Sequence, residues 1–133
     1  MGNWITSGVE TLTLSVRHNN ATKLDFYLRI AASAPPGAGA SLTTGFSIAP
    51  NTWTDVTIPI VNSTSSFSSY GAGDFNTVFA GVQNIQFGFY LPEGTYTNLT
   101  MDIDNVGVTV PEPSAALMGC AALGLAFIRR RRA

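Results

Sequence analysis

The chain has 133 residues, a formal net charge of −1 and only 11% charged residues. The first 112 residues hold three basic side chains (Arg17, Lys23, Arg29) and all eight acidic ones, a balance of −5 that the four terminal arginines raise to −1. An acidic domain without a basic patch argues against nucleic acid as a partner. The single cysteine, Cys120, excludes an internal disulfide and a cysteine metal site.

Val9 to Arg17 alternates, with Leu12, Leu14 and Val16 on one face and Thr11, Thr13 and Ser15 on the other. That period of two predicts a half-buried strand. His18 to Thr22 reads as a turn, with His18, the only histidine, as a solvated turn residue. Lys23 to Ala32 alternates again, Leu24, Phe26, Leu28 and Ile30 inward, and the two strands are expected to pair as a hairpin. Ser33 to Ser41, with Pro35, Pro36, Gly37 and Gly39, reads as a loop. Leu42 to Ile48 is a weaker strand. Trp53 to Val61 alternates through Val56, Ile58 and Ile60, and Pro59 places it at a sheet edge or in a bulge.

Asn62 to Gly73 is a Ser/Gly-rich loop, and Asp74 is positioned to cap a helical turn through Val78 and Phe79. Val82 to Leu91 is the most apolar strand, with Ile85, Phe87, Phe89 and Leu91 inward. Leu99 to Val110 is the last, and its apolar phase shifts at Asp104-Asn105, which implies a bulge. About six strands without an amphipathic helix predict an all-β domain over 1–110, an antiparallel β-sandwich. Trp53-Thr54-Asp55-Val56-Thr57-Ile58-Pro59 and the closing Met101-Asp102-Ile103-Asp104-Asn105-Val106 resemble the late half of galactose-binding-like jelly-roll domains. Jelly rolls usually need about eight strands, so the resemblance implies that the first strands lie upstream of Met1.

Two clusters in the domain are candidate sites. Asp102 and Asp104 are two apart on a strand, so both carboxylates face one side, roughly 7 Å apart. They read either as solvated carboxylates or, as the jelly-roll resemblance implies, as ligands of a structural calcium. As a glycosidase pair they fail, because neighbours on one strand do not flank a sugar-holding cleft. Tyr27, Tyr90 and Tyr96 fall out of phase with inward neighbours or sit in turns, and are candidates to stack on sugar rings. Trp4 and Trp53 read as core or edge cover. The sequons at Asn20, Asn62 and Asn98 read as chance in a chain rich in Asn, Ser and Thr.

The tail, 111–133, is a separate unit. Pro111-Glu112-Pro113 ends the last strand, Ser114 can cap a helix, and Ala115 to Ile128 is apolar on every side. At 1.5 Å per residue the apolar run is roughly 21 Å long, against a hydrocarbon core of about 30 Å. Arg129, Arg130, Arg131 and Arg132 can snorkel at the bilayer edge and orient the segment, arginines on the cytoplasmic side and domain outside. The alternative is a core helix with a solvated basic end. Pro111, Glu112 and Pro113, a short apolar helix and a terminal arginine block, in that order, resemble the PEP-CTERM sorting signal of bacterial surface proteins. The resemblance implies an exosortase as partner, Pro111, Glu112 and Pro113 as its recognition residues, and transient anchoring in the inner membrane. It also implies export to the cell surface or extracellular matrix.

Met1-Gly2-Asn3-Trp4 shows neither the basic nor the apolar region of an export leader. The reading preferred here is that the leader lies upstream of Met1. A fit of Met1-Gly2 with Thr6 to the myristoylation pattern is set aside, since that pattern is short and the tail is bacterial. The functional expectation is an exported, non-catalytic surface or biofilm-matrix protein. The alternatives are a carbohydrate-binding module that retains exopolysaccharide, and an extracellular hydrolase or lyase, which a single histidine and no nucleophile motif disfavour.

Overall fold

The computed structural model describes residues 2–110. Within them the period-two patterns become strands: β1 (Thr11–His18), β2 (Leu24–Ala32), β3 (Gly39–Leu42), β4 (Phe46–Ile48), β5 (Thr54–Pro59), β6 (Phe67–Tyr70), β7 (Val82–Tyr90) and β8 (Met101–Thr109), with one short helix, α1 (Phe75–Ala80), before β7. All pairings are antiparallel. Apart from α1, the described residues are all-β, in two sheets.

One sheet has the order β5-β1-β8. In the other, β2 pairs β7 along most of its length, β4 at Leu24–Phe26 and β3 at Arg29–Ala31, and β6 extends β3. The inward residues of both sheets share one core. Leu12, Leu14, Val16, Val56 and Ile58 come from the smaller sheet, and Phe26, Leu28, Ile30, Ala40 and Ile48 from the larger. Phe75 and Phe79 stack at one end, with Phe67 edge-on to Phe79 and Trp4 tilted against it. Each fully buried large apolar side chain contributes about 1.5–3 kcal/mol of transfer free energy, so this shared layer holds the sheets together.

Several expectations hold in detail. Asp74 caps α1, its Oδ1 accepting from the Thr77 N–H at 2.7 Å. β5, which carries Pro59, pairs only with β1 and so lies at an edge. The β1–β8 register shifts between Thr13 and Ser15, and Asn105 sits at φ 53°, which is the expected bulge.

Others need correction. β1 and β2 do not form a hairpin: they lie in different sheets, and 19–23 carries the chain from one to the other. Alternation fixes which face is buried and says nothing about which sheet supplies the cover. Leu42 to Ile48 is not one strand, because β3 ends at Leu42 and β4 begins at Phe46. Both Gly/Ser-rich loops conceal a strand, β3 starting at Gly39 and β6 at Phe67, so the count is eight rather than six. Among the described residues no helix is long and apolar enough to cross a membrane. The apolar helix expected in the tail lies outside them.

Candidate functional site

The outer face of the larger sheet brings two of the three chosen tyrosines together. Tyr27 on β2 points outward between Asp25 and Arg29, and its register partner on β7 is Gly88. A Cβ at Gly88 would stand 2.5 Å from Tyr27 Cε1 and Cζ, so the ring occupies the space above the glycine. Tyr90, two residues along β7 and 56% exposed, has its ring centroid 5.1 Å from that of Tyr27 at an interplanar angle of 49°. The Arg29 guanidinium lies 5.5 Å from the Tyr27 centroid, within cation–π range. Gln86 Nε2 donates to the Tyr27 hydroxyl at 3.4 Å. The result is an aromatic pair on the outer face, Tyr90 exposed and Tyr27 half-buried, bordered by an anion, a cation and an amide.

Tyr96 is not part of this face. It lies in the connection between β7 and β8, where its hydroxyl donates to the Pro92 carbonyl at 2.6 Å. There it lines a polar surface pocket of about 240 Å³ with Asn19, Asn20 and Leu99. Asn19 fastens that connection, donating to the Asn98 carbonyl and accepting from the Thr100 N–H, both at 2.8 Å. The sequence reading overlooked Tyr70. It is 42% exposed on β6 and covers Gly39, its register partner, on the same outer face as Tyr27. Its signal was weak because the surrounding Ser/Gly residues look like a loop.

Asp102 and Asp104 pair with Arg17 and Ser15 of β1, so both lie on the outer face of the smaller sheet. Asp102 Oδ2 accepts from Arg17 Nε at 3.0 Å and Nη2 at 2.7 Å. Arg17 also lies 4.8 Å from the ring centroid of Trp53, which is 45% exposed and so is surface cover for Arg17 rather than core. Asp104 Oδ1 accepts from the Asn105 N–H at 2.7 Å, inside the bulge. Among the described residues no group of three or more His, Cys, Asp or Glu side chains converges as metal ligands. Beside the bulge, Ser15 Oγ donates to Asp55 Oδ1 at 2.6 Å, and Thr13, Thr57 and Asn105 line the shallow groove around them.

His18 is not a solvated turn residue. It is 1% exposed at the end of β1, in phase with Leu12, Leu14 and Val16. Its Nδ1 accepts from the Asn20 N–H at 3.1 Å, which leaves the proton on Nε2 to be donated to the Ile48 carbonyl at 3.0 Å. The ring meets Phe89 edge-on at 5.0 Å. Both nitrogens serve the backbone inside the core, whereas Ser15 and Asp55 face outward.

Strand β8 ends at Thr109, where the tail takes over. Residues 109–133 match the family model of the PEP-CTERM protein-sorting motif. The tail is a PEP-CTERM sorting motif. It implies export and sorting at the membrane by an exosortase, and it leaves the β-domain unassigned. No curated protein and no solved structure matches the chain, so the galactose-binding-like resemblance gains no support from a relative. The motif residues Pro111, Glu112 and Pro113 and the flank Arg129 to Arg132 lie outside the described residues.

Proposed function

We propose that this protein is a non-catalytic β-sandwich cargo, delivered to the cell surface or extracellular matrix by exosortase processing of its PEP-CTERM tail. The observation that carries this reading is the motif at 109–133, placed directly after the last strand of a β-domain. The inward, backbone-committed His18 supports the non-catalytic part: Ser15 and Asp55 have no histidine with which to form a nucleophilic triad. The test replaces Pro111, Glu112 and Pro113 by alanine in a host that carries an exosortase. The substituted protein is expected to accumulate unprocessed in the membrane fraction. Unchanged processing and location would sink the proposal. Hydrolysis of a polysaccharide, abolished by Asp104→Asn, would overturn the non-catalytic part alone.

A second reading rests on the Tyr27–Tyr90 pair. An outward-facing aromatic pair, with Tyr90 exposed beside Asp25, Arg29 and Gln86, suits a sugar ring, whose apolar face stacks while its hydroxyls bond to polar neighbours. On this reading the domain retains the matrix polysaccharide. A pull-down on exopolysaccharide tests it: retention lost in Tyr90→Ala supports it, and no retention of the unaltered domain eliminates it.

A further inference from the structure

The outer face of the smaller sheet is laid out in rows across β5, β1 and β8. Trp53 and Asp102 flank Arg17, Asp55 and Asn105 flank Ser15, and Thr57 and Gly107 flank Thr13. The row through Thr13 carries only short side chains or none, while Asp55 and Asn105 stand on either side of Ser15. The result is a groove of about 320 Å³. That is at the small end of the range of about 300–1,000 Å³ usual for ligand sites, and it suits a single ring.

Ser15, only 8% exposed, sets both walls. Its hydroxyl donates to Asp55 Oδ1 at 2.6 Å and accepts from Asn105 Nδ2 at 3.4 Å. Asn105, at φ 53° in the bulge, is thereby aimed over β1 instead of along β8. Among the described residues, Asp55 Oδ2, Asn105 Oδ1, the second N–H of the Asn105 amide and the Thr57 hydroxyl have no protein partner. Asp55 has no ion pair there either, since Arg17 is held by Asp102. Acceptors and a donor therefore stand side by side. A cation would meet the N–H of Asn105, and an anion would meet the carboxylate of Asp55. A pair of neighbouring hydroxyls satisfies both, because each O–H can donate and accept. Trp53, two residues before Asp55 and 45% exposed, adds apolar surface at one end of the groove.

We propose that this groove binds one pyranose unit of a neutral glycan. One hydroxyl donates to Asp55 Oδ2, and its neighbour accepts from Asn105 Nδ2 and bonds to Thr57. Trp53 covers the C–H face of the adjoining unit. The proposal goes beyond the delivery role. It shares a class of ligand with the Tyr27–Tyr90 reading but no residue, and the two sites belong to opposite faces of the sandwich.

The experiment titrates the isotope-labelled full chain, kept in a detergent free of sugar groups, with the methyl glycosides of glucose, mannose and galactose, and follows the amide NMR spectrum. At least one glycoside is expected to shift the Asn105 side-chain amide and the backbone amides of Asp55 to Thr57 saturably, at concentrations up to about 0.1 M. Asn105→Gly removes the amide but suits the left-handed backbone, and Thr57→Val removes a hydroxyl at nearly constant shape. Each should weaken the titration of the remaining groove amides about threefold to tenfold, whereas Tyr90→Ala should leave it unchanged. Groove amides that no glycoside moves overturn the proposal, as does a titration that neither groove variant weakens. Shifts confined to the surroundings of Tyr27 and Tyr90 overturn it while leaving the tyrosine reading in place. Shifts confined to the groove sustain it and eliminate the tyrosine reading instead.

Discussion

Tyr27 fills the space that any side chain at Gly88 would need: a Cβ there would lie 2.5 Å from its ring. The two residues are register partners on β2 and β7, and the ring covers backbone that would otherwise be bare. In Gly88→Ala the ring, the far end of a flexible side chain on an outer face, must swing away. Such cross-strand pairs are worth about 0.2–1 kcal/mol, so the midpoint of urea unfolding should fall slightly with the slope unchanged. The tyrosine near-UV circular dichroism should fall clearly, because the 5.1 Å approach of Tyr27 to Tyr90 is lost. An unchanged spectrum would show that the pairing does not depend on the glycine.

His18 gives the largest expected loss from a single polar side chain. His18→Ala removes the ring beside Phe89 and strips partners from the Asn20 N–H and the Ile48 carbonyl. A cavity and two orphaned backbone groups together cost about 2–4 kcal/mol. His18→Phe restores the volume without the hydrogen bonds. It should still unfold at lower urea than the unaltered chain, by an amount equivalent to about 1–3 kcal/mol. Equal stability of His18→Phe and the parent would mean that packing alone matters at this site.

Much of this architecture was legible in the sequence, and the omissions share a cause. Leu12, Leu14 and Val16, or Leu24, Phe26, Leu28 and Ile30, declare a buried face through period two alone. The same parity put Tyr27 and Tyr90 outside, and it would have put His18 inside had the neighbouring Asn19-Asn20 not suggested a turn. The two strands hidden in Gly/Ser-rich segments depend on distant partners. Ala40 is buried because β2 and β6 flank it, and Gly39 is buried because Tyr70 covers it. Nothing local in Gly39-Ala40-Ser41-Leu42 carries that information. The assignment of β1 and β2 to different sheets is non-local in the same way. The tail was readable by itself because its signal is linear: a triplet, an apolar run and a charge block in order.

Arg17 takes over the charge balance of Asp102, which bears on calcium. The pair is 40% and 42% exposed, so breaking it with Asp102→Ala should cost under about 1 kcal/mol and less at high salt. Arg17→Met should alter Trp53 fluorescence, since the guanidinium over the ring is lost. With Arg17 already on Asp102 and the Asn105 amide on Asp104, millimolar calcium should leave the melting temperature unchanged. A rise above about 3 °C that Asp104→Asn abolishes would establish calcium binding instead.

Asp74 should make α1 sensitive to acid. Its carboxyl is held below the ordinary value of 3.8, first by the hydrogen bond from the Thr77 backbone N–H and then by the Thr77 side chain. A carboxyl whose folded value is depressed stabilises the fold fully above its unfolded value, and that contribution disappears as pH falls through the folded value. The window therefore lies at and below the ordinary aspartate range. Asp74→Asn keeps an oxygen acceptor for the Thr77 N–H but cannot titrate. The parent should exceed Asp74→Asn in stability by a constant margin at neutral pH, and the margin should shrink as the solution is acidified below about pH 4. Asp74→Ala, with no acceptor, should be less stable than either at neutral pH. A margin independent of pH would show that the charge on Asp74 contributes nothing and that any oxygen at the cap suffices.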